Sequence, residues 1–223
     1  MSKTVLVVAA HTDDEALGCG GAIIKHVAQG DIVYAVFLAD GVTSRPDASA
    51  DQVEERISAA TNAHQVLGIK QSYMLGFADN RMDNVPLLDI VQKLEEVLIK
   101  VQPQVIYTHH YGDLNVDHRV THQAVITACR PVPGASVKEI YLFEVLSATD
   151  WNTPGVASFI PNVFVDVSEF LKKKMEALAA YELEMRAAPH TRSMANVRRL
   201  AEFRGSCVGF DAAEAFSLIR LLK

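Results

Sequence analysis

Three cysteines in 223 residues, Cys19, Cys129 and Cys207, are odd in number and too scattered to form a disulfide framework. No two of them make a CxxC pair, which argues against a thiolate zinc site. No stretch approaches the roughly 18–20 consecutive apolar residues that span a bilayer. The N-terminus, one lysine and then a strand-like run, lacks the length and cleavage pattern of a signal peptide. Positive charge is in deficit, 21 Lys and Arg against 27 Asp and Glu for a formal net charge of -6, so the footprint of a nucleic-acid-binding protein is missing. An anionic ligand would need a local cluster of arginine or lysine, not a global field. These absences predict a reduced, cytoplasmic protein with no membrane span and no nucleic-acid partner.

What is present reads as an ordinary globular chain, 49% hydrophobic and 22% charged, long enough for one α/β domain over residues 1–223. Thr4–Ala10 (TVLVVAA) is a short continuous apolar run, the pattern of a strand buried on both faces of a parallel sheet. A polar cluster and a glycine-rich turn follow, then a helix through Ala22–Val27 that stops near Gly30, then a second such strand at Ile32–Leu38. This βαβ opening implies a right-handed crossover. The alternation continues. Gln52–Leu67 has a helical apolar stripe ended by Gly68, Ser72–Leu75 is a short strand, and Pro86 opens a helix with Leu87, Val91, Leu94, Leu98 and Val101 on one face. Gln104–Thr108 is a strand, Asp117–Cys129 a helix, and Lys138–Val145 and Asn162–Val167 are strands. Ser168 is placed to cap a long helix carrying Leu171, Met175 and Leu178, and the chain from Ser193 on reads as two short helices around Gly205–Gly209. The fold class is therefore α/β, single-domain and Rossmann-like, with a mostly parallel sheet and helices on both faces.

In open α/β sheets ligands gather beyond the carboxyl ends of the strands. Two polar clusters stand there: His11-Thr12-Asp13-Asp14-Glu15 after the first strand, and His109 to His118 (HHYGDLNVDH) after the strand Gln104–Thr108. A metal hydrolase needs three protein ligands, an open position for water and a general base nearby. Imidazoles and a carboxylate are usual ligands, leaving a neighbouring carboxylate free to take a proton. Taken singly, the first cluster is only an acidic helix N-terminus and the second a polar loop with a cap. Together, after strands of one sheet, they point to a metal site.

AHTDDE (Ala10–Glu15) and NVDHRVTH (Asn115–His122) closely resemble the AHPDDE and HPDHxxxH motifs of the zinc-dependent N-deacetylases of the PIG-L/LmbE-like family. The resemblance extends to Arg56, to Gly76–Asp79 and to the closing AEAF (Ala213–Phe216), and so covers nearly the whole chain. It implies a cofactor, Zn²⁺ with Fe²⁺ as the alternative, held by His11, Asp14 and His118. It implies Asp13 as the general base and then acid, Asp117 as the group that orients a histidine, and Arg56 and Asp79 as residues that hold the sugar. The implied substrate is a small N-acylated amino sugar. Two positions depart from the family: Thr12 replaces its proline, and Asn115 replaces its histidine, the group assigned to the tetrahedral oxyanion. Asn115 can donate a hydrogen bond to an oxyanion but carries no charge; His110 is the nearby residue that could substitute. Two other readings share these residues: a metal-dependent hydrolase of a non-sugar amide, and a non-catalytic sugar-binding protein. Retention of Asp13 argues against the last.

His122 follows His118 by one helical turn and is read as supporting the site or touching substrate. His64 lies on an apolar stripe and is read as a core histidine, His26 as a surface residue, and Cys19 as a small packing residue. Arg192 lies in a turn, Pro189–Ser193, that is either structural or a pocket wall binding a phosphate or carboxylate of the substrate. Lys172-Lys173-Lys174 reads as a solvated helix face. The irregular stretch Ser147–Pro161 around Trp151, the single tryptophan, reads as a lid or an oligomer contact, and the chain is expected to be a homo-oligomer.

Overall fold

The structure, a computed structural model, describes residues 2–223. Thr4–Ala9 forms β1, in which Val5 to Ala9 have no solvent exposure, as a strand covered on both faces requires. β1 pairs in parallel with β2 (Ile32–Ala39) on one side and with β4 (Val105–His109) on the other. β3 (Gln71–Phe77) extends the sheet beyond β2, and β5 (Glu139–Phe143) extends it beyond β4, both in parallel. β7 (Ala213–Leu221) then runs antiparallel to β5, and β6 (Val163–Asp166) closes that edge antiparallel to β7. The order is β3-β2-β1-β4-β5-β7-β6.

Alternate residues of the inner strands feed two cores. Val5, Val7, Ala9, Val33, Ala35 and Phe37 pack with α1 (Asp14–Ala28), α2 (Ala50–Leu67), α5 (Leu171–Ala179) and α6 (Met194–Ser206). Leu6, Val8, Val36 and Leu38 pack with α3 (Leu87–Val101) and α4 (Val116–Ala128) on the opposite face. The order reverses at β1, whose neighbours are reached through α1 on one side and through α3 on the other. The carboxyl ends of β1 and β4 therefore flank a crevice, the usual ligand position in such sheets. Among the described residues, no helix is long and apolar enough to cross a membrane.

Four local expectations are corrected. Ser168 does not cap α5: its hydroxyl donates to Asp166 Oδ1 (2.6 Å) and accepts from the Ala212 amide (3.1 Å), tying the β6–α5 turn to β7, and α5 is only nine residues long. The segment after Gly209 is not a helix but strand β7. Its first four residues are buried between β5 and β6, and a short apolar run cannot distinguish strand from helix until its pairing partners are known. Lys174 is not solvated: it is 3% exposed, and its Nζ donates to Glu214 Oε1 (2.6 Å) and to the Leu17 carbonyl (2.8 Å). His26 is half-buried, with Nδ1 2.7 Å from Asp31 Oδ2 and Nε2 3.0 Å from the Tyr107 hydroxyl. His64, as expected, is a core residue stacked on Phe37.

The Lys174–Glu214 pair has a structural purpose. Helix α1 is interrupted at Cys19, whose φ of −146° and ψ of 21° are not helical. Amides just beyond such a break need acceptors from outside the helix. Glu214 supplies them, accepting from Gly21 N (2.8 Å) and Ala22 N (2.7 Å). Gly21 admits this approach, since a Cβ there would stand 2.7 Å from Val167 Cγ1.

Candidate metal centre and active site

The polar residues after β1 and β4 converge. His11, Asp14 and His118 are all buried, and one donor atom from each lies within 4.8 Å of the other two. Asp14 Oδ2 stands 3.5 Å from His11 Nδ1 and 3.4 Å from His118 Nε2. Zinc bonds of about 2.0–2.2 Å at tetrahedral angles place ligand atoms ~3.3–3.6 Å apart, so these separations fit one shared divalent ion. The far nitrogen of each ring faces carboxylates. His11 Nε2 is 3.1 Å from Asp117 Oδ2 and 3.1 Å from Asp79 Oδ1, and His118 Nδ1 is 3.1 Å from Asp113 Oδ2. A carboxylate behind the imidazole fixes ring orientation and tautomer for a ligating histidine. Burial opposes a charge on either ring, yet the surrounding carboxylates raise His118 to about 9 and His11 well above the ordinary histidine value. The cluster thus attracts positive charge, as a cation-binding donor set does.

Two other triads have donor atoms equally close, His109-Asp113-His118 and His11-Asp79-Asp117. They fit less well. A cavity of about 610 Å³, within the ~300–1,000 Å³ of small-ligand pockets, is lined by His11, Asp14 and His118 but not by His109, Asp113 or Asp117. Asp117 also has both oxygens occupied, accepting from Asn80 N (2.7 Å) and Met82 N (3.1 Å). His109 Nε2 accepts from the Ala10 amide (2.9 Å) and ties the ends of β1 and β4 together. Burial, aided by His118, pushes the His109 imidazole down to about 4.

Asp13 lies beside the triad, lines the same cavity, and adopts a left-handed backbone (φ 117°) that is strained for any residue but glycine. Glu15 secures it: Oε2 accepts from the Asp13 amide (2.9 Å), and Oε1 accepts from the Tyr181 hydroxyl (2.6 Å). The Asp13 side chain meets two guanidiniums, Arg192 Nη1 at 2.8 Å from Oδ2 and Arg56 Nη2 at 3.3 Å from Oδ1. Burial raises its proton affinity and the two arginines oppose, leaving it at about 6. A carboxyl poised there can both take and return a proton near neutral pH.

Arg56 is anchored from every side. Nε donates to Thr12 Oγ1 (2.9 Å), Nη2 donates to the Thr12 carbonyl (2.7 Å), and Nη1 stands 2.5 Å from Glu184 Oε1. The hydroxyl of Thr12 supplies a contact that proline could not. Gly41 leaves room for the guanidinium, because a Cβ there would come within 2.7 Å of Arg56 Nε. Burial raises the Glu184 carboxyl, but Arg56 and Arg45 outweigh it and hold the group below the usual range.

Of the remaining expected site residues, Asp79 lines the cavity and its carboxylate also accepts from the Ser44 hydroxyl. Arg192 lines the cavity and Trp151 stands at its wall, 52% exposed. Asn115 lines it too, but its side chain is the cap of α4: Oδ1 accepts from Asp117 N (2.8 Å) and His118 N (3.4 Å), and Nδ2 donates to Asn80 Oδ1 (3.2 Å). His110 is not brought to the cavity; its Nε2 lies 2.6 Å from the Ala157 carbonyl. His122 faces the His109 carbonyl through Nδ1 (3.0 Å) and belongs to none of the close triads. Asp113, Asn80 and Glu184 were not singled out from sequence. Asp113 lies inside the second polar cluster and could have been, whereas Glu184 sits in a turn with no motif.

A family model described as GlcNAc-PI de-N-acetylase (PIG-L) matches residues 6–129, the span from β1 through α4 that carries both polar clusters. The chain is 31% identical to the uncharacterized deacetylase YaiS of Escherichia coli (strain K12), over 81% of this chain and 91% of that protein. It is 24% identical to the diacetylchitobiose deacetylase of Thermococcus kodakarensis, over 97% of this chain and 83% of that one. Among solved structures, the N,N'-diacetylchitobiose deacetylase from Pyrococcus horikoshii is similar with a TM-score of 0.79 at 21% identity, covering 98% of this chain and 84% of that chain, a likeness of fold. With the family model matching more than half of its length, this chain belongs to the PIG-L (LmbE-like) family.

Proposed function

We propose that this protein is a divalent-metal-dependent N-deacetylase that hydrolyses the acetamide of an N-acetylated amino sugar or sugar conjugate. The observation that carries the reading is the triad of buried donor atoms His11, Asp14 and His118 at the wall of a ligand-sized cavity, with the carboxylate of Asp13, which is not one of the three, beside it. Two matched relatives, from Thermococcus kodakarensis and Pyrococcus horikoshii, are diacetylchitobiose deacetylases, which supports a sugar acetamide as the substrate class.

In this reading His11, Asp14 and His118 hold the ion, Zn²⁺ or Fe²⁺, and Asp117, Asp79 and Asp113 orient the two imidazoles. The bound ion would polarise the amide carbonyl and acidify a water. Asp13 takes the proton of the attacking water and returns it to the nitrogen as the carbon–nitrogen bond breaks, so that acetate and a free amine leave. Its strained backbone and its bond to Glu15 keep the carboxylate aimed at the cavity. Asp79, with Asn80 and Ser44 next to it, offers acceptors and donors to sugar hydroxyls. Arg56 acts mainly through the Thr12–Asp13 loop that it braces.

The test is metal content of the purified protein together with acetate release from N-acetylglucosamine, N,N'-diacetylchitobiose and an N-acetyl amino acid, before and after chelation. The expected result is about one divalent ion per chain and chelator-sensitive release from the sugars. A folded protein without a divalent metal, or release that ignores the chelator, overturns the reading. Preference for the amino acid moves the substrate to non-sugar amides.

A further inference from the structure

Hydrolysis of an amide puts a negative charge on the carbonyl oxygen, and donors fixed around that oxygen contribute much of the rate. The side chains that line the cavity differ in how free they are to serve. Asn115 has its oxygen on the α4 amides and its nitrogen on Asn80. Arg56 is bound by Thr12, Asp13 and Glu184, whereas Arg45 makes one bond, to Glu184 at 2.7 Å, and none to Asp13. Arg192 is different. Its Nε donates to Ser147 Oγ (3.0 Å) and its Nη1 to Asp13 Oδ2 (2.8 Å); among the described residues nothing accepts from Nη2. A guanidinium has five N–H donors in a rigid plane, so more than half of them remain for a ligand.

The segment that carries Arg192 is held. The Arg192 carbonyl accepts from Arg186 N (3.1 Å), its amide donates to His190 Nδ1 (3.0 Å), and Ser193 caps α6 by accepting from Asn196 N (3.3 Å). The side chain is 18% exposed, so the cation faces the cavity while largely shielded from bulk water. A charge in that position interacts more strongly than one in open solvent.

We propose that Arg192 is a further catalytic residue: one edge of its guanidinium holds the Asp13 carboxylate, and the remaining N–H groups donate to the amide oxygen as that oxygen becomes negative. The inference rests on the deacetylase reading. The water oxygen bonds to the carbonyl carbon, the carbonyl π pair moves onto oxygen beside Arg192, and the water proton goes to Asp13. When the pair returns, the carbon–nitrogen bond breaks and the Asp13 proton goes to the nitrogen. Arg192 gains and loses no proton.

The experiment compares wild type with R192A, R192Q and R192K. It measures acetate release from N,N'-diacetylchitobiose, and by calorimetry the affinity for the methylphosphonamidate of glucosamine, a tetrahedral anion shaped like the attacked amide. Melting temperature and metal content report integrity, and R192Q, which keeps length and a donor, carries the test where R192A does not fold. For R192A or R192Q the expected result is a kcat lower by ~10²–10³-fold with KM changed by less than about three-fold. The phosphonamidate should bind at least about tenfold more weakly, and millimolar methylguanidine should restore part of the turnover of R192A. R192K should fall between, since an ammonium keeps the charge but not the planar fork. A folded, metal-loaded R192A or R192Q with kcat within about three-fold of wild type overturns the proposal. So does an equal loss of affinity for the phosphonamidate and for substrate, which would make Arg192 a ground-state binding residue. A metal-loaded wild type that releases no acetate from any N-acetyl sugar overturns the deacetylase reading instead, and the role of Arg192 falls with it.

Discussion

Replacing Asn115 by alanine and by serine separates two roles that one side chain could have. The structure places Asn115 as the cap of α4, with Oδ1 on the amides of Asp117 and His118 and Nδ2 on Asn80. Loss of a capping side chain costs about 1 kcal/mol, and the half-exposed bond to Asn80 adds a few tenths. N115A should therefore lower stability by about 1–1.5 kcal/mol, a fall in Tm of roughly 2–5 °C for a chain of this size. N115S keeps a good capping oxygen and should stay within about 0.5 kcal/mol of wild type. If capping is the role, kcat of N115S on N,N'-diacetylchitobiose stays within about tenfold of wild type, and any further loss in N115A follows loosening of the Asp117–His118 turn. An oxyanion donor behaves otherwise: serine, too short to place an amide N–H at the same point, would lose as much as alanine, ~10²–10³-fold in kcat. Thermal melts and initial rates on the two variants decide the matter. A serine variant as stable as wild type but a hundredfold slower would refute the capping assignment.

H11A and H118A should each fold yet lose stoichiometric metal, because two remaining ligands bind far more weakly than three; metal analysis after gel filtration checks this. D13N should retain its metal and melt near wild type while kcat drops by ~10²–10⁴-fold, read from acetate release; near-normal turnover would assign the base elsewhere. E214A strands the Lys174 ammonium and the amides beyond the break in α1, and chemical denaturation should show a loss of about 3–5 kcal/mol, with less than about 1 kcal/mol contradicting the capping account. H110A removes the contact with the Ala157 carbonyl and should alter stability while leaving kcat within a few-fold; abolished turnover would return His110 to the active site.

Much of the architecture was legible because a parallel sheet has a strong sequence pattern. The Val-rich run TVLVVAA has the length and composition of a strand buried on both sides, and helices with apolar stripes between such strands pointed to the alternation and the two-faced cover. The end of the chain was not legible, because β7 is stabilised by strands far away in sequence, and its local pattern fits a helix as well. Lys174 looked solvated for the same kind of reason: its partner Glu214 lies forty residues on and is needed only because α1 breaks at Cys19.

The site divides along the same line. That His11, Asp13, Asp14, Asp117 and His118 come together could be read from sequence because each lies in one of two short clusters, and the ends of adjacent parallel strands are adjacent in space. Their separations, and the carboxylates Asp79 and Asp113 behind the two imidazoles, belong to the folded chain alone. The tertiary structure also decided that Asn115 caps a helix while His110 faces the Ala157 carbonyl, and that Arg192, 179 residues after Asp13, ends 2.8 Å from its carboxylate. Residue type and spacing specify which groups can do chemistry. Which donors stay free to do it depends on the partners that folding brings to them, and those partners come from anywhere in the chain.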